Sequence, residues 1–481
     1  MPTPDTAPGD LVARSRRPHL VGVAGAAMRS LAALLTALGK DVSGSDSGAV
    51  ADLGPLASQG IRVTHGHAAQ NVSGADLVVA SAAIPADNLE LEAARRRGIP
   101  ILSHAQALGG LMATRDGIGV AGTHGKSTTT ALLAHILTIA GRNPTLAGGA
   151  DAPDFGGYAR LGQGPELVAE ADEFGRRFLE LHPRLAIITG VEPDHLDYYG
   201  SFEAVKEAFQ QFVAGMAPGG LVVTCEDEPN LAGLLLTRRR VRYGWAGHAD
   251  WRLERFFPRP GGGATFVVRR PDGRRSAYDM RLTGRHQAAN AVAALAIASE
   301  LGVSDKDAHE GLASFRGTRR RFETLALDGG VWIVDDYAHH PTAIVSNLSA
   351  ARDVHTGRLV AVFQPHTIHR TLALRQAFAD AFADADRVIV TPIYQPTGRS
   401  VGGPEITADE LVREMAHPAA SAVPSLDAAY ELVLRELTPG TLVVVLGAGD
   451  VTVLAHRLAQ TVASGAIPVA ATAAGGVGAF R

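Results

Sequence analysis

The stretch Gly119-Val-Ala-Gly-Thr-His-Gly-Lys-Ser127 decides how this chain is read. Its first residues close an apolar run, 118–121, with the pattern of a buried strand. The segment that follows, 127–140, has the pattern of a helix. In such a junction glycines let backbone N–H groups face a phosphate, and the helix N-terminus adds its dipole. Lys126 would then reach the β- and γ-phosphates, and the Ser127 hydroxyl would ligate Mg²⁺. The common pattern has a glycine where Val120 stands, so the match is the shorter Gly122-Thr-His-Gly-Lys-Ser127. A plain strand–turn–helix junction is the competing reading. Composition weighs against it. Of 45 basic residues only Lys40, Lys126, Lys206 and Lys306 are lysine. A compact ammonium fits between phosphates where a guanidinium does not.

Outward from this loop the same alternation recurs. Upstream, strands are expected at 19–25, 40–46, 77–80 and 99–102, with a helix over 26–38 that Gly39 ends. Downstream come strands at 167–169, 185–188 and 221–224, alternating β structure over 252–279, and an Ala-rich helix over 287–301. A third set follows at 331–334, 359–363, 388–390 and 442–446. The pattern predicts an α/β protein of three domains. These are a Rossmann-like N-terminal domain over 18–116, a central P-loop ATPase-like domain over 117–317, and a C-terminal Rossmann-like α/β domain over 318–462. A flexible leader, 1–17, and a mobile tail, 463–481, flank them. A length of 481 residues suits that number of domains.

Composition narrows the function classes. Hydrophobic residues at 46% and charged residues at 20% rule out bulk disorder. Net charge of −4 argues against a general nucleic-acid binder. The single Cys225 excludes an internal disulfide framework and a cysteine-cluster metal site. There is neither a long apolar run for a membrane span nor a basic-then-apolar secretory start. The expectation is a cytoplasmic enzyme with small-molecule partners and no nucleic-acid or membrane partner.

Further polar motifs sit where strands end. Glu170, Asp172 and Glu173 follow one apolar strand, a setting that suits Mg²⁺, with a solvated acidic loop as the alternative. Val191-Glu-Pro-Asp-His-Leu-Asp197 follows another, and Gly284-Arg-His-Gln-Ala-Ala-Asn290 opens a helix. In the third set, Asp335-Asp-Tyr-Ala-His-His-Pro341, Gln364-Pro-His-Thr-Ile-His-Arg-Thr371 and Gly447-Ala-Gly-Asp450 all follow strands. Ligands bind at that edge of open α/β sheets. Near the start, Gly22-Val-Ala-Gly-Ala-Ala-Met28 follows the first strand and Asp46 ends the second. Alone, this pair reads as a degenerate dinucleotide fingerprint and suggests an NAD-dependent oxidoreductase. Ala24 and Ala27 hold places that glycine usually takes.

Taken in order, these motifs resemble the Mur ligases, which add amino acids during bacterial cell-wall precursor synthesis. The resemblance spans roughly residues 19–457. It implies ATP and Mg²⁺ as cofactors, with Gly122, Thr123, His124, Gly125, Lys126, Ser127 and Thr128 around the nucleotide phosphates. Asn290 would bond the adenine region and Asp336 the ribose. Ser127, Glu170 and His195 would hold metal. Arg321, from Gly317-Thr-Arg-Arg-Arg-Phe-Glu323, would enter on domain closure and stabilise the transferring phosphoryl group. The catalytic set implied is Lys126, Glu170, His195 and Arg321. Gly22, Gly25, Met28, Asp46 and Ser81 would hold a UDP-sugar. Tyr337, His339, His366 and Arg370 would line the amino-acid site. Gln210 stands where some members carry a carbamylated lysine, as the alanine-adding branch implies. The implied substrates are UDP-N-acetylmuramate and L-alanine, joined through an acyl phosphate by a monomer or homodimer. Departures at Ala24, Ala27, Phe174 and Thr367 keep open a paralogue that ligates another carboxylate or amino acid.

Overall fold

The computed structural model describes residues 6–48, 54–232, 234, 238–396 and 405–465. They form two compact units. The first holds most of the chain up to Arg319 and the second holds Arg320 onward. Three sheets organise them.

The first sheet has five parallel strands in the order Arg62–His65, Ser43–Asp46, Pro18–Val21, Leu77–Ala80 and Ile101–Ser103. Its central strand is fully buried because both faces are covered. Leu20, Met28, Leu31 and Leu35 pack on one side. Val21, Val78, Leu91 and Ala94 pack on the other. Strand order reverses at Pro18–Val21, so a crevice opens beyond its carboxyl end. Met28, expected at the sugar nucleotide, is 2% exposed and belongs to this core. The helix it sits on, Ala26–Ala37, turns that position inward.

The segment before this sheet is not a loose leader where it is described. Helix Pro8–Arg14 has proline at its start and Asp10 in its first turn, both favourable there. Val12 is 1% exposed in the core. The end of the helix is tied down twice. Lys40 Nζ donates to the Ser15 carbonyl at 2.5 Å. The Asp76 carboxylate accepts from the Ser15 hydroxyl at 2.6 Å and the Arg16 N–H at 2.8 Å. Residues 1–5 lie outside the described residues.

The second sheet has ten strands. Its parallel centre runs Leu221–Cys225, Leu185–Ile188, Asp116–Ala121, Glu166–Glu170 and Thr145–Ala152. Gly157–Arg160 pairs antiparallel at one edge. Toward the other edge lie Arg239–Gly244, Trp251–Pro258, Ala264–Arg269 and Arg275–Met280, in sequence order. Helix Lys126–Ile139 is buried continuously from Ser127 to Leu137, as befits a helix packed on several sides.

The second unit carries a six-stranded sheet in the order Glu323–Asp328, Val331–Asp336, Thr441–Leu446, Arg358–Phe363, Arg387–Val390 and Ala420–Ala422. The first pair is antiparallel and the rest parallel. Separate apolar clusters cover its two faces. Helix Val451–Ala463 follows the last central strand. Most of the tail expected to be mobile, 466–481, lies outside the described residues. No helix among the described residues is long and apolar enough to cross a membrane.

Candidate active site

The phosphate loop forms where strand Asp116–Ala121 gives way to helix Lys126–Ile139. Two of its positions require glycine. Gly122 has φ +134°, and a Cβ there would lie 2.1 Å from Thr189 Oγ1. Gly125 has φ +80°, and a Cβ would lie 2.5 Å from Asn290 Oδ1. Only glycine meets both demands, of conformation and of space. The loop is also pinned to the adjacent strand end. Thr123 N–H donates to the Gly190 carbonyl at 2.9 Å, and Thr189 Oγ1 donates to the His124 carbonyl. Thr123 Oγ1 accepts from Glu192 N–H at 2.9 Å.

Lys126 points back over this loop. Its Nζ donates to the Gly122 carbonyl at 2.5 Å and lies 2.8 Å from Glu173 Oε2. Burial works against the ammonium charge, but Glu173, Asp172 and Glu170 outweigh it and raise the pKa above the ordinary lysine value. Burial pushes the Glu173 carboxyl up to about 7, against the pull of Lys126. Asp172 adds to that rise. Three carboxylates around one ammonium leave an excess of negative charge and oxygen donors. That donor set suits a hard divalent cation.

Glu170, at the end of strand Glu166–Glu170, accepts from Gly149 N–H at 3.1 Å. Ser127 and Thr128 occupy the buried first turn of the loop helix. His195 has φ +54° at the start of the one-turn helix Leu196–Tyr199. Its ring packs on Phe174, with centroids 4.7 Å apart. Phe174 therefore supports the histidine. The last residue of that short helix, Tyr199, donates its hydroxyl to the Glu173 carbonyl at 2.5 Å. Asn290, expected at the adenine, is 7% exposed and donates to Gln287 Oε1 at 3.1 Å, behind Gly125. In this structure it backs the loop glycine.

At the first sheet, Gly22 has φ +81° and a Cβ there would lie 2.9 Å from Ser81 Cβ. The structure thus brings Gly22 and Ser81 together across the crevice. Gly25 caps helix Ala26–Ala37. Asp46, expected on a ribose hydroxyl, accepts from Ala24 N–H and Gly48 N–H, both at 2.8 Å. It shapes the turn as well as ending its strand.

In the second unit, Arg321 lies over the Tyr337 ring at 5.1 Å, and Arg320 lies over the same ring at 4.8 Å. The remaining expected residues form one chain of rings. Tyr337 meets His339 at 5.3 Å, His339 meets His366 at 5.8 Å, and His366 stacks on Tyr394 at 5.5 Å. Arg370 Nη1 is 3.4 Å from His366 Nδ1. Thr367 has φ +65° and caps the helix that carries Arg370. Asp336, expected to reach a ribose, is turned inward and 3% exposed. Its carboxylate accepts from Phe322 N–H at 2.6 Å, Ala338 N–H at 2.7 Å and Asn347 Nδ2 at 3.1 Å. Burial pushes its pKa up to about 6, against the pull of Arg321. All of its oxygens serve the protein's own backbone and side chains.

Three residues at these sites escaped the sequence reading in their roles. Glu173 was expected only as a neighbour of the metal ligands, not as the partner of Lys126. Tyr394 sits in a stretch with no motif around it. His286 stands in the Gly284 motif, where burial, with His124 beside it, pushes its imidazole down to about 4. The motif was the signal that could have found it.

Three family models match successive parts of the chain. The Mur ligase family catalytic domain covers residues 17–116, the Mur ligase middle domain 120–298, and the Mur ligase glutamate ligase domain 320–449. The chain is 41% identical over 477 residues to the UDP-N-acetylmuramate–L-alanine ligase of Symbiobacterium thermophilum, covering 96% of this chain and 98% of that one. It is 42% identical over 453 residues to the enzyme of the same name from Bradyrhizobium diazoefficiens, covering 92% and 96%. The crystal structure of UDP-N-acetylmuramate–alanine ligase from Thermotoga maritima superposes with a TM-score of 0.80 at 28% identity, covering 93% and 99%. Those matches run through the first sheet, the phosphate loop and the ring cluster alike, and the chain belongs to the Mur ligase family.

Proposed function

We propose that this chain joins L-alanine to the carboxylate of UDP-N-acetylmuramate, at the expense of ATP. The observation that carries the reading is Lys126, buried at a helix N-terminus beside a glycine loop and ringed by three acids. It stands in a chain about 40% identical, over nearly all its length, to enzymes named for that reaction.

The chemistry follows from the parts. Lys126 and the loop amides hold the β- and γ-phosphates, and Arg321 spreads the charge of the phosphoryl group in transfer. The sugar carboxylate attacks the γ-phosphorus, ADP leaves, and an acyl phosphate forms. The alanine amine then attacks the acyl carbon, inorganic phosphate leaves, and an amide remains. Arg370 offers a fork-shaped cation to the amino-acid carboxylate. The imidazoles of His339 and His366 stand beside it as acceptors for the ammonium proton. Ser127 and Glu170 would hold Mg²⁺, and His195 a second ion; such a cation neutralises phosphate oxygens. Gly22, Gly25 and Ser81 would take the pyrophosphate end of the sugar nucleotide. ATP and a nucleotide sugar as co-substrates fit a cytoplasmic enzyme.

A coupled phosphate-release assay across amino acids and UDP-sugars tests this. Release is expected with UDP-N-acetylmuramate and L-alanine above every other pair. Release only with another amino acid would transfer the reading to a paralogous activity, which Thr367 beside Arg370 makes the informative alternative.

A further inference from the structure

Two imidazoles of the ring cluster in the second unit are told apart by their hydrogen bonds. His339 Nδ1 lies 2.9 Å from the Tyr337 carbonyl. A carbonyl only accepts, so Nδ1 carries the proton of the neutral ring and the lone pair is left on Nε2. His366 Nδ1 lies 3.4 Å from Arg370 Nη1. A guanidinium only donates, so here Nδ1 holds the lone pair and Nε2 carries the proton. The rings stand 5.8 Å apart, centroid to centroid. At Nε2 they present opposite chemistry, an acceptor on His339 and a donor on His366.

His366 is also built into its place. Tyr394 N–H donates to the Pro365 carbonyl at 2.8 Å, and the Tyr394 carbonyl accepts from Thr367 N–H at 2.9 Å. The backbone on both sides of His366 is thus tied to one residue. The Tyr394 ring stacks on the imidazole with centroids 5.5 Å apart and planes inclined by 24°. It also lies against Gly449, where a Cβ would fall 2.5 Å from Tyr394 Cγ. A ring so held suits a group that orients a substrate.

An amino acid binds as a zwitterion. Its carboxylate needs donors, and its ammonium needs one acceptor basic enough to take a proton. We infer that the ammonium proton goes to His339 Nε2, and that His366 Nε2–H joins Arg370 in gripping the carboxylate. The inference rests on the reaction proposed above and assigns its proton acceptor. One proton passes from the alanine nitrogen to His339 Nε2. The freed electron pair attacks the acyl carbon, and the C–O bond to phosphate breaks with its electron pair. The second proton lost from nitrogen leaves with the phosphate, and His339 returns its own to water.

The same substitution at both rings tests this. An asparagine amide can replace either Nδ1 contact, since its nitrogen donates and its oxygen accepts, but it is too weak a base for an ammonium proton. His339→Asn should lower kcat roughly a hundredfold, with KM for L-alanine within about threefold of wild type. His366→Asn should do the reverse, raising KM for L-alanine roughly tenfold with kcat within about threefold. Hydroxylamine, uncharged at neutral pH, captures the acyl phosphate as a hydroxamate without a proton acceptor. Hydroxamate formation by His339→Asn should fall by no more than about threefold, which also shows that the variant folds and activates the carboxylate. Imidazole in solution should restore part of kcat to His339→Ala and none to His366→Ala. Equal losses of kcat at both rings, or a loss of hydroxamate formation in His339→Asn as large as its loss with L-alanine, would overturn the inference while the reaction stands. Absence of phosphate release from wild type with UDP-N-acetylmuramate and L-alanine would instead overturn the reaction, and the inference with it.

Discussion

Two glycine turns in the first unit solve one geometrical problem with different chemistry. Both join a buried strand to a helix, and both bring a positive-φ glycine against the side chain of a neighbouring strand end. Gly22 meets Ser81 and Gly122 meets Thr189. The first turn, however, holds no lysine. It is fixed by Asp46 on Ala24 N–H, and by Ser45, whose carbonyl accepts from Gly22 and Val23 N–H. Ser45 is fixed in turn by Glu90, fully buried, which also accepts from Asn71 and lies 3.3 Å from His67 Nδ1. The second turn is fixed by Thr123 and Thr189, which bond across to the neighbouring strand end, and its charge is concentrated in Lys126 and the acids around it. In the function proposed above, the same fold element would serve once to hold a diphosphate and once to transfer a phosphoryl group. What separates them is the lysine and its carboxylates, not the turn.

The widest gap should open at the lysine. Lys126→Ala should lower kcat on the order of a thousandfold, while the Kd for UDP-sugar, measured by calorimetry, stays within about twofold. A large loss of UDP-sugar affinity would break the division between the turns. Next come the glycines. Gly122→Ala places a methyl on Thr189 and should cost about 2–4 kcal/mol of stability by denaturant unfolding, together with most ATP-dependent turnover. Gly22→Ala should spare KM for ATP and raise KM for UDP-sugar roughly tenfold. Matching effects on both substrates would show that the turns do not act separately.

Smaller effects sharpen the account of how the first turn is held. Burial alone would raise the Glu90 pKa. The imidazole of His19, 3.7 Å away, and hydrogen bonds from Ser45 and Asn71 outweigh it and bring it down to about 2, from an ordinary 4.5. Such a group stabilises the fold above pH 4.5, and that contribution fades as pH falls toward 2. Wild type should therefore lose stability across that window more steeply than Glu90→Gln, with denaturant midpoints as the readout. The smallest change expected is at Lys40. Lys40→Met removes donors from the Ser15 and Ala13 carbonyls and should cost about 1 kcal/mol with no effect on turnover.

What could be read from the sequence follows the strength of the local signal. Strands Leu77–Ala80 and Leu185–Ile188 are continuous apolar runs and were placed to the residue. The hairpin of Thr145–Ala152 and Gly157–Arg160 was missed, since its glycines, acids and short side chains carry no alternation. Among candidate site residues, motifs brought Tyr337, His339, His366 and Arg370 to one cluster, because each ends or follows a strand of one sheet. Orientation was not legible. Met28 and Asp336 occupy the expected positions in the chain and face inward. Glu90 belongs to no motif, and its burial depends on His19, Ser45 and Asn71, which come from elsewhere in the chain. Lys40, which had no chemical reason in the sequence, gained one as the clamp on helix Pro8–Arg14.

The inward carboxylate of Asp336 also sets where change can be absorbed. It grips the backbone at Phe322, directly after Arg321, in a segment where Arg320 and Phe322 both take positive φ. The path of the chain that delivers the arginine is thus dictated by an acid in the neighbouring strand, and little by the arginine's own side chain. Exchanging Arg321 would alter the charge offered and leave the delivery intact. Exchanging Asp336 would leave the charge in place and lose its address.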